Sequence, residues 1–73
     1  MIGLQMSVSY KKLWHILLDK DMKKKDLEVA AGISHYVMNK MSRNEDISTE
    51  VVRKICKALE CTPEQMMEFE HNE

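Results

Sequence analysis

The period of the apolar positions changes once along this chain, near residue 10. Before it, Ile2, Leu4, Met6, Val8 and Tyr10 alternate with Gly3, Gln5, Ser7 and Ser9. A period of two belongs to an extended strand with one apolar face. A lone strand leaves its backbone groups unpaired. The segment therefore pairs with the same strand of a second copy, lies on the rest of the chain, or frays as a tail. From Tyr10 to Lys20 the spacing is helical, with Tyr10, Leu13, Trp14, Leu17 and Leu18 on one face and Ser9 placed to cap the start. Asp19 to Lys23 is a polar break. Lys24 to Ala31 fits a second, short helix with Leu27 and Ala31 inward, ended by Gly32 in a left-handed conformation. Ile33 packs into the turn. Ser34 caps a third helix, Ser34 to Ser42, whose inner positions are Val37, Met38 and Met41. Arg43 to Ile47 reads as loop. Ser48 caps a fourth helix, Thr49 to Leu59, with Val51, Val52, Ile55, Cys56 and Leu59 inward. Thr62-Pro63-Glu64-Gln65 combines a capping Thr, a Pro at the first position and a Gln at the third. It opens a short fifth helix carrying Met66, Met67 and Phe69.

These elements predict an all-α domain of five helices over residues 10–69, an extension at 1–9 and a tail at 70–73. With 73 residues there is one domain, of a size that buries only about 60% of its unfolded surface. A core and a deep catalytic cleft do not both fit, which favours a binding module. No nucleophile stands with a base, and there is no phosphate loop and no metal-ligand box. An enzyme, a cofactor and a small-molecule substrate are therefore not expected. No apolar run reaches the ~18 residues of a membrane span, and residues 1–10 lack the basic flank and continuous apolar core of a secretory signal. Cys56 and Cys61 stand too divergently on one helix for an easy disulfide. They read as reduced, core-filling thiols of a cytoplasmic protein. Trp14 reads as core. His15 and His71 have no partners in sequence.

The formal net charge is −1, yet the charge is polarised. Residues 20–43 carry Lys20, Lys23, Lys24, Lys25, Lys40 and Arg43 against Asp21, Asp26 and Glu28. The stretch 44–73 sets only Arg53, Lys54 and Lys57 against eight carboxylates. Local charge sets attraction to phosphate, so the basic middle keeps a nucleic-acid partner in view.

Two short helices joined by Gly32-Ile33-Ser34 form a helix-turn-helix pattern. The outer face of the second of them is polar throughout: Ser34, His35, Tyr36, Asn39, Lys40 and Arg43. Such a face donates hydrogen bonds to base edges and phosphates in a major groove. In the run from Lys23 to Met66, Ala31-Gly32-Ile33-Ser34, the spacing to Met38 and Met41, and Ile55-Cys56-Lys57-Ala58-Leu59 followed by Thr62 carry a resemblance. The chain resembles the Cro and phage-repressor type helix-turn-helix domains of the Xre family over about residues 10–69. The resemblance implies a compact five-helix, lambda-repressor-like domain, bacterial or phage-encoded, that binds double-stranded DNA as a transcriptional regulator. Ser34, His35, Tyr36, Asn39 and Lys40 match that family's base-reading positions. Lys24, Arg43 and Asn44 match its backbone contacts. Three positions depart from its pattern. Glu28 stands where a small Ala allows close helix crossing and must reach solvent or pair with Lys24 or Lys25. Lys23 replaces the usual capping Ser or Thr, and Glu60 the usual Gly or Asn after the fourth helix.

Two functions follow. One is sequence-specific DNA binding by a homodimer, since two half-sites multiply the specificity of one recognition helix. The alternating N-terminal strand and the fifth helix are the candidate interfaces. The alternative is a protein-interaction module, an antitoxin or phage adaptor, that keeps the fold without strong DNA binding.

Overall fold

The computed structural model describes residues 5–72. In chain order these form strand β1 (Gln5–Ser9), helices α1 (Lys11–Asp19), α2 (Lys24–Ala31), α3 (His35–Ser42), α4 (Thr49–Leu59) and α5 (Pro63–Met66), and strand β2 (Glu68–Asn72). The interior gathers side chains from nearly every element. Val8, Tyr10, Leu13, Leu17, Leu27, Met38, Met41, Ile55, Leu59 and Met66 are buried together. A fully buried Leu or Met contributes about 1.5–3 kcal/mol over leaving it exposed, so the apolar positions of α1 to α4 suffice to fix their packing.

The helix boundaries follow local chemistry. Ser34 and Ser48 cap α3 and α4, their hydroxyls accepting the Val37 and Val51 N–H groups at 3.1 and 3.2 Å. The Thr62 N–H donates to Gln65 Oε1 at 2.9 Å and holds the start of α5. Lys23 has no acceptor to cap α2. Asp26 reaches back instead, its carboxylate accepting the Lys23 N–H at 2.8 Å, which supplies the half of a capping box that Ser or Thr is not needed for. Gly32 closes α2 at φ 68°. Glu60 closes α4 at φ 54° although it carries a Cβ.

Four expectations need correction. The N-cap of α1 is Tyr10 rather than Ser9, which lies one residue earlier and accepts the Lys11 N–H at 3.3 Å. Leu18 is 71% exposed although Leu17 beside it is buried at 3%, so the core takes only one edge of the apolar face and leaves Leu18 outside it. α5 stops at Met66, since Met67 is extended at φ −149°. Phe69, and Glu70 to Asn72 of the expected tail, therefore belong to β2. The fold is thus mainly helical with a small sheet rather than all-α.

That sheet also decides the fate of the alternating segment. β1 pairs antiparallel with β2 of the same chain, Met6 opposite His71 and Val8 opposite Phe69. Glu68 to Asn72 alternates over too few residues, two of them acids, to announce a strand in sequence. Ile2 and Leu4 lie outside the described residues. Lys12 on α1 ties the ribbon down, with an ion pair to Glu68 at 3.5 Å and a hydrogen bond to the Glu64 carbonyl at 3.1 Å. Cys56 and Cys61 are free and half-buried against the core, as expected, but they do not share a helix: Cys61 lies past the end of α4, beside Cys56. The Cys56 thiol lies 3.8 Å from the Met66 sulfur. Burial pushes the Cys61 thiol above its ordinary pKa, and neighbouring Cys56 adds to the shift.

Candidate nucleic-acid interface

Met38 and Met41 are 2% and 0% exposed and bolt the inner side of α3 to the core. Ile33 packs against that core from the turn, and its N–H donates to the Glu28 carbonyl at 3.0 Å. This bond, with the left-handed Gly32, sets the angle between α2 and α3. The polar side of α3 is left facing outward.

On that side Ser34, His35, Tyr36, Asn39, Arg43 and Asn44 are exposed. Six of the eight expected site residues are therefore open to solvent along α3 and just past its end. Lys40 is half-buried, its ammonium 5.8 Å from the centre of the Tyr36 ring, which steadies both on the outer surface. Arg43 donates from Nε to Glu45 at 2.8 Å. This bond raises the Arg43 guanidinium still further, and Glu45 is held below the ordinary carboxylate range chiefly by the same bond. Arg43 thus carries its own counter-ion. Asn44 sits at φ 58°, a conformation Asn tolerates better than most residues.

A cleft runs between the start of α2 and α3, lined by Lys23, Lys24, Lys25, Glu28, His35, Asn39 and Ser42. Lys24 is held in it. Its Nζ donates to Ser42 Oγ at 2.9 Å and lies 4.3 Å from the centre of the Trp14 ring. Trp14 therefore packs against the core, as expected, and also serves as a platform for a cation, which its helical spacing did not reveal. Glu28 pairs with neither Lys24 nor Lys25. Its Oε2 lies 3.0 Å from His35 Nδ1. His35 is seven residues on, across the turn, and only the tight α2–α3 angle brings the two together.

Lys23, Lys25 and Ser42 complete the cleft and were not among the expected contacts. The three-lysine run was the visible signal for two of them. Ser42 had none, being an ordinary last-turn Ser until Lys24 crosses to it. Among the described residues no group of three or more His, Cys, Asp or Glu side chains converges as a metal site, and no helix is long and apolar enough to cross a membrane.

The Cro/C1-type HTH DNA-binding domain family matches residues 12–72 of this chain. Among solved structures, the chain is similar to a crystal structure of the transcriptional regulator VanUg, at 38% sequence identity and a TM-score of 0.91. The likeness covers 99% of this chain and 96% of that one. No curated protein matches in sequence.

Proposed function

Given that the chain belongs to the Cro/C1-type helix-turn-helix DNA-binding domains, we propose that it is a transcriptional regulator binding double-stranded DNA in a sequence-specific way. α3 lies in the major groove. Ser34, His35, Tyr36, Asn39 and Lys40 read base edges. Lys24, Arg43 and Asn44 hold the phosphate backbone on either side, and Lys23 and Lys25 join Lys24. The observation that carries this is the open polar face of α3, seated on buried Met38 and Met41 and flanked by the lysine-lined cleft. Similarity to VanUg over almost the whole chain supports the regulatory part.

The working form is a homodimer of a cytoplasmic protein from a bacterium or phage. Met66 is fully buried and offers a second copy nothing, whereas Phe69 and Met6 are 61% and 52% exposed. The contact between copies is assigned to the ribbon side, not to α5 itself. Sedimentation of Phe69→Ser against the parent chain tests it, with a shift toward monomer expected.

The DNA reading is tested by titrating random duplex at rising salt and by selecting bound sequences from a random pool. Counterion release requires binding to fall steeply as salt rises. A chain that binds no duplex at low salt would instead be the protein-interaction module.

A further inference from the structure

Glu28 is a costly residue at its position. Its side chain is 17% exposed at the crossing of α2 and α3, and a carboxylate shielded from water needs a hydrogen-bond donor. The donor it has found is on the reading helix itself. His35 is the first residue of α3, its side chain is 75% exposed, and its Nδ1 is the atom 3.0 Å from Glu28. A carboxylate only accepts, so this bond requires the proton to sit on Nδ1. In the neutral ring Nε2 then carries a lone pair. Among the described residues Nε2 has no hydrogen-bond partner. Lys23, Lys24 and Lys25 line the same cleft, but Lys24 is engaged by Ser42 and Trp14, and none forms an ion pair with Glu28.

We infer that Glu28 is a specificity-determining positioning residue: by accepting the Nδ1 proton it makes the neutral His35 ring an acceptor, Nε2 outward, for an exocyclic amino group in the major groove. Adenine N6 and cytosine N4 are such groups. Guanine O6 and N7 and thymine O4 are acceptors and are refused at that contact. This assignment rests on α3 being the reading helix. It turns the departure at Glu28 from a packing penalty into a means of setting the hydrogen-bond sense of a surface side chain. Glu28 itself touches no base.

Two measurements test it, one without DNA. Ring ¹⁵N shifts of His35 at mildly alkaline pH report which nitrogen carries the proton. The parent chain is expected to show Nδ1–H. Glu28→Gln keeps the size but can donate as well as accept, and Glu28→Ala restores a small residue at the crossing. Both are expected to yield a mixture or mainly Nε2–H with helicity unchanged. Nε2–H in the parent chain would overturn the inference whatever the protein binds.

The second measurement selects duplexes from a random pool with the parent chain, Glu28→Gln, His35→Ala and the double variant. Preference for an amino-bearing base is expected at one position. Both single variants should relax it there by about five- to tenfold, the worth of about one hydrogen bond. The double variant should add little to His35→Ala, while binding to random duplex changes far less. Selective binding in which Glu28→Gln moves no position, moves a different one from His35→Ala, or weakens all sequences alike would overturn the inference and leave the DNA reading standing. A preference for guanine or thymine at the shared position would overturn it too. A parent chain that shows Nδ1–H yet selects no sequence would overturn both.

Discussion

Tyr10 shows how far a single side chain's role can lie from its spacing in sequence. It continues the apolar face of α1 by spacing, yet it sits at the N-cap, fully buried, with its hydroxyl donating to the Glu45 carbonyl at 2.6 Å. No local pattern announces a bond across 35 residues, because the acceptor is a backbone group with no signature. Burial, reinforced by the Asp46 charge, pushes the phenol up to about 12. The folded chain therefore keeps a proton that the unfolded chain releases near its ordinary value of about 10. This contribution is complete below about pH 10 and is lost as pH rises toward about 12. Tyr10→Phe should cost about 1 kcal/mol at neutral pH through the unpaired carbonyl and flatten that alkaline loss, as chemical denaturation across the pH series will show. Glu60, by contrast, was legible as misplaced: it holds a left-handed conformation in which a Cβ is strained. Glu60→Gly should raise stability by about 0.5–1 kcal/mol, read from the denaturation midpoint at constant slope.

At the scale of elements, α2, the turn and α3 were readable to the residue. Gly32, Ser34 and Ser48 act through their immediate neighbours, so local sequence contains the whole cause. β2 was not readable, because its stability comes from β1 at the other end of the chain. The candidate site divides in the same way. The residues along α3 follow from helical spacing alone. The partners of Lys24, Arg43 and Glu28 depend on which turn faces which. Those partners change what substitutions should do. Lys40→Ala and Arg43→Ala should each weaken DNA binding with helicity intact. Glu45→Gln should strengthen it severalfold, since it frees Arg43 from its counter-ion and removes a negative charge near the phosphates. Fluorescence titrations with one duplex at fixed salt compare the three, and an unaltered affinity for Glu45→Gln would mean Arg43 stays clear of the backbone.

For the molecule as a whole, the polarity seen in the sequence survives folding. Lys23, Lys24 and Lys25 gather at the cleft beside α3. Glu45 stays beside Arg43, while Asp46, Glu50, Glu60, Glu64, Glu68 and Glu70 lie on the loop before α4, on α4 and its C-cap, and on α5 and β2. A chain of net charge −1 can then approach a polyanion in one orientation, the acidic part being repelled and the basic part drawn in. Replacing Lys23 and Lys25 together by Gln should weaken all duplex sequences alike and lower the salt slope by up to about two units. Affinities measured at several ionic strengths give that slope directly.

The pairing of β1 with β2 also has a kinetic meaning. The bonds that hold Gln5–Ser9 to Glu68–Asn72 close a loop containing all five helices, the most distant contact in sequence among the described residues. The helices gain from local contacts early, whereas such a closure must first meet its entropic cost. The ribbon should therefore form after the rate-limiting step. Val8, buried on β1 at 4% exposure, is the probe. Val8→Ala should leave the refolding limb of the chevron almost unmoved and speed unfolding by nearly the full loss of stability, as expected of a position whose contacts are absent at the barrier. β1 and β2 then act as a latch: closing it does little to hasten folding, but opening it sets how long the folded molecule lasts.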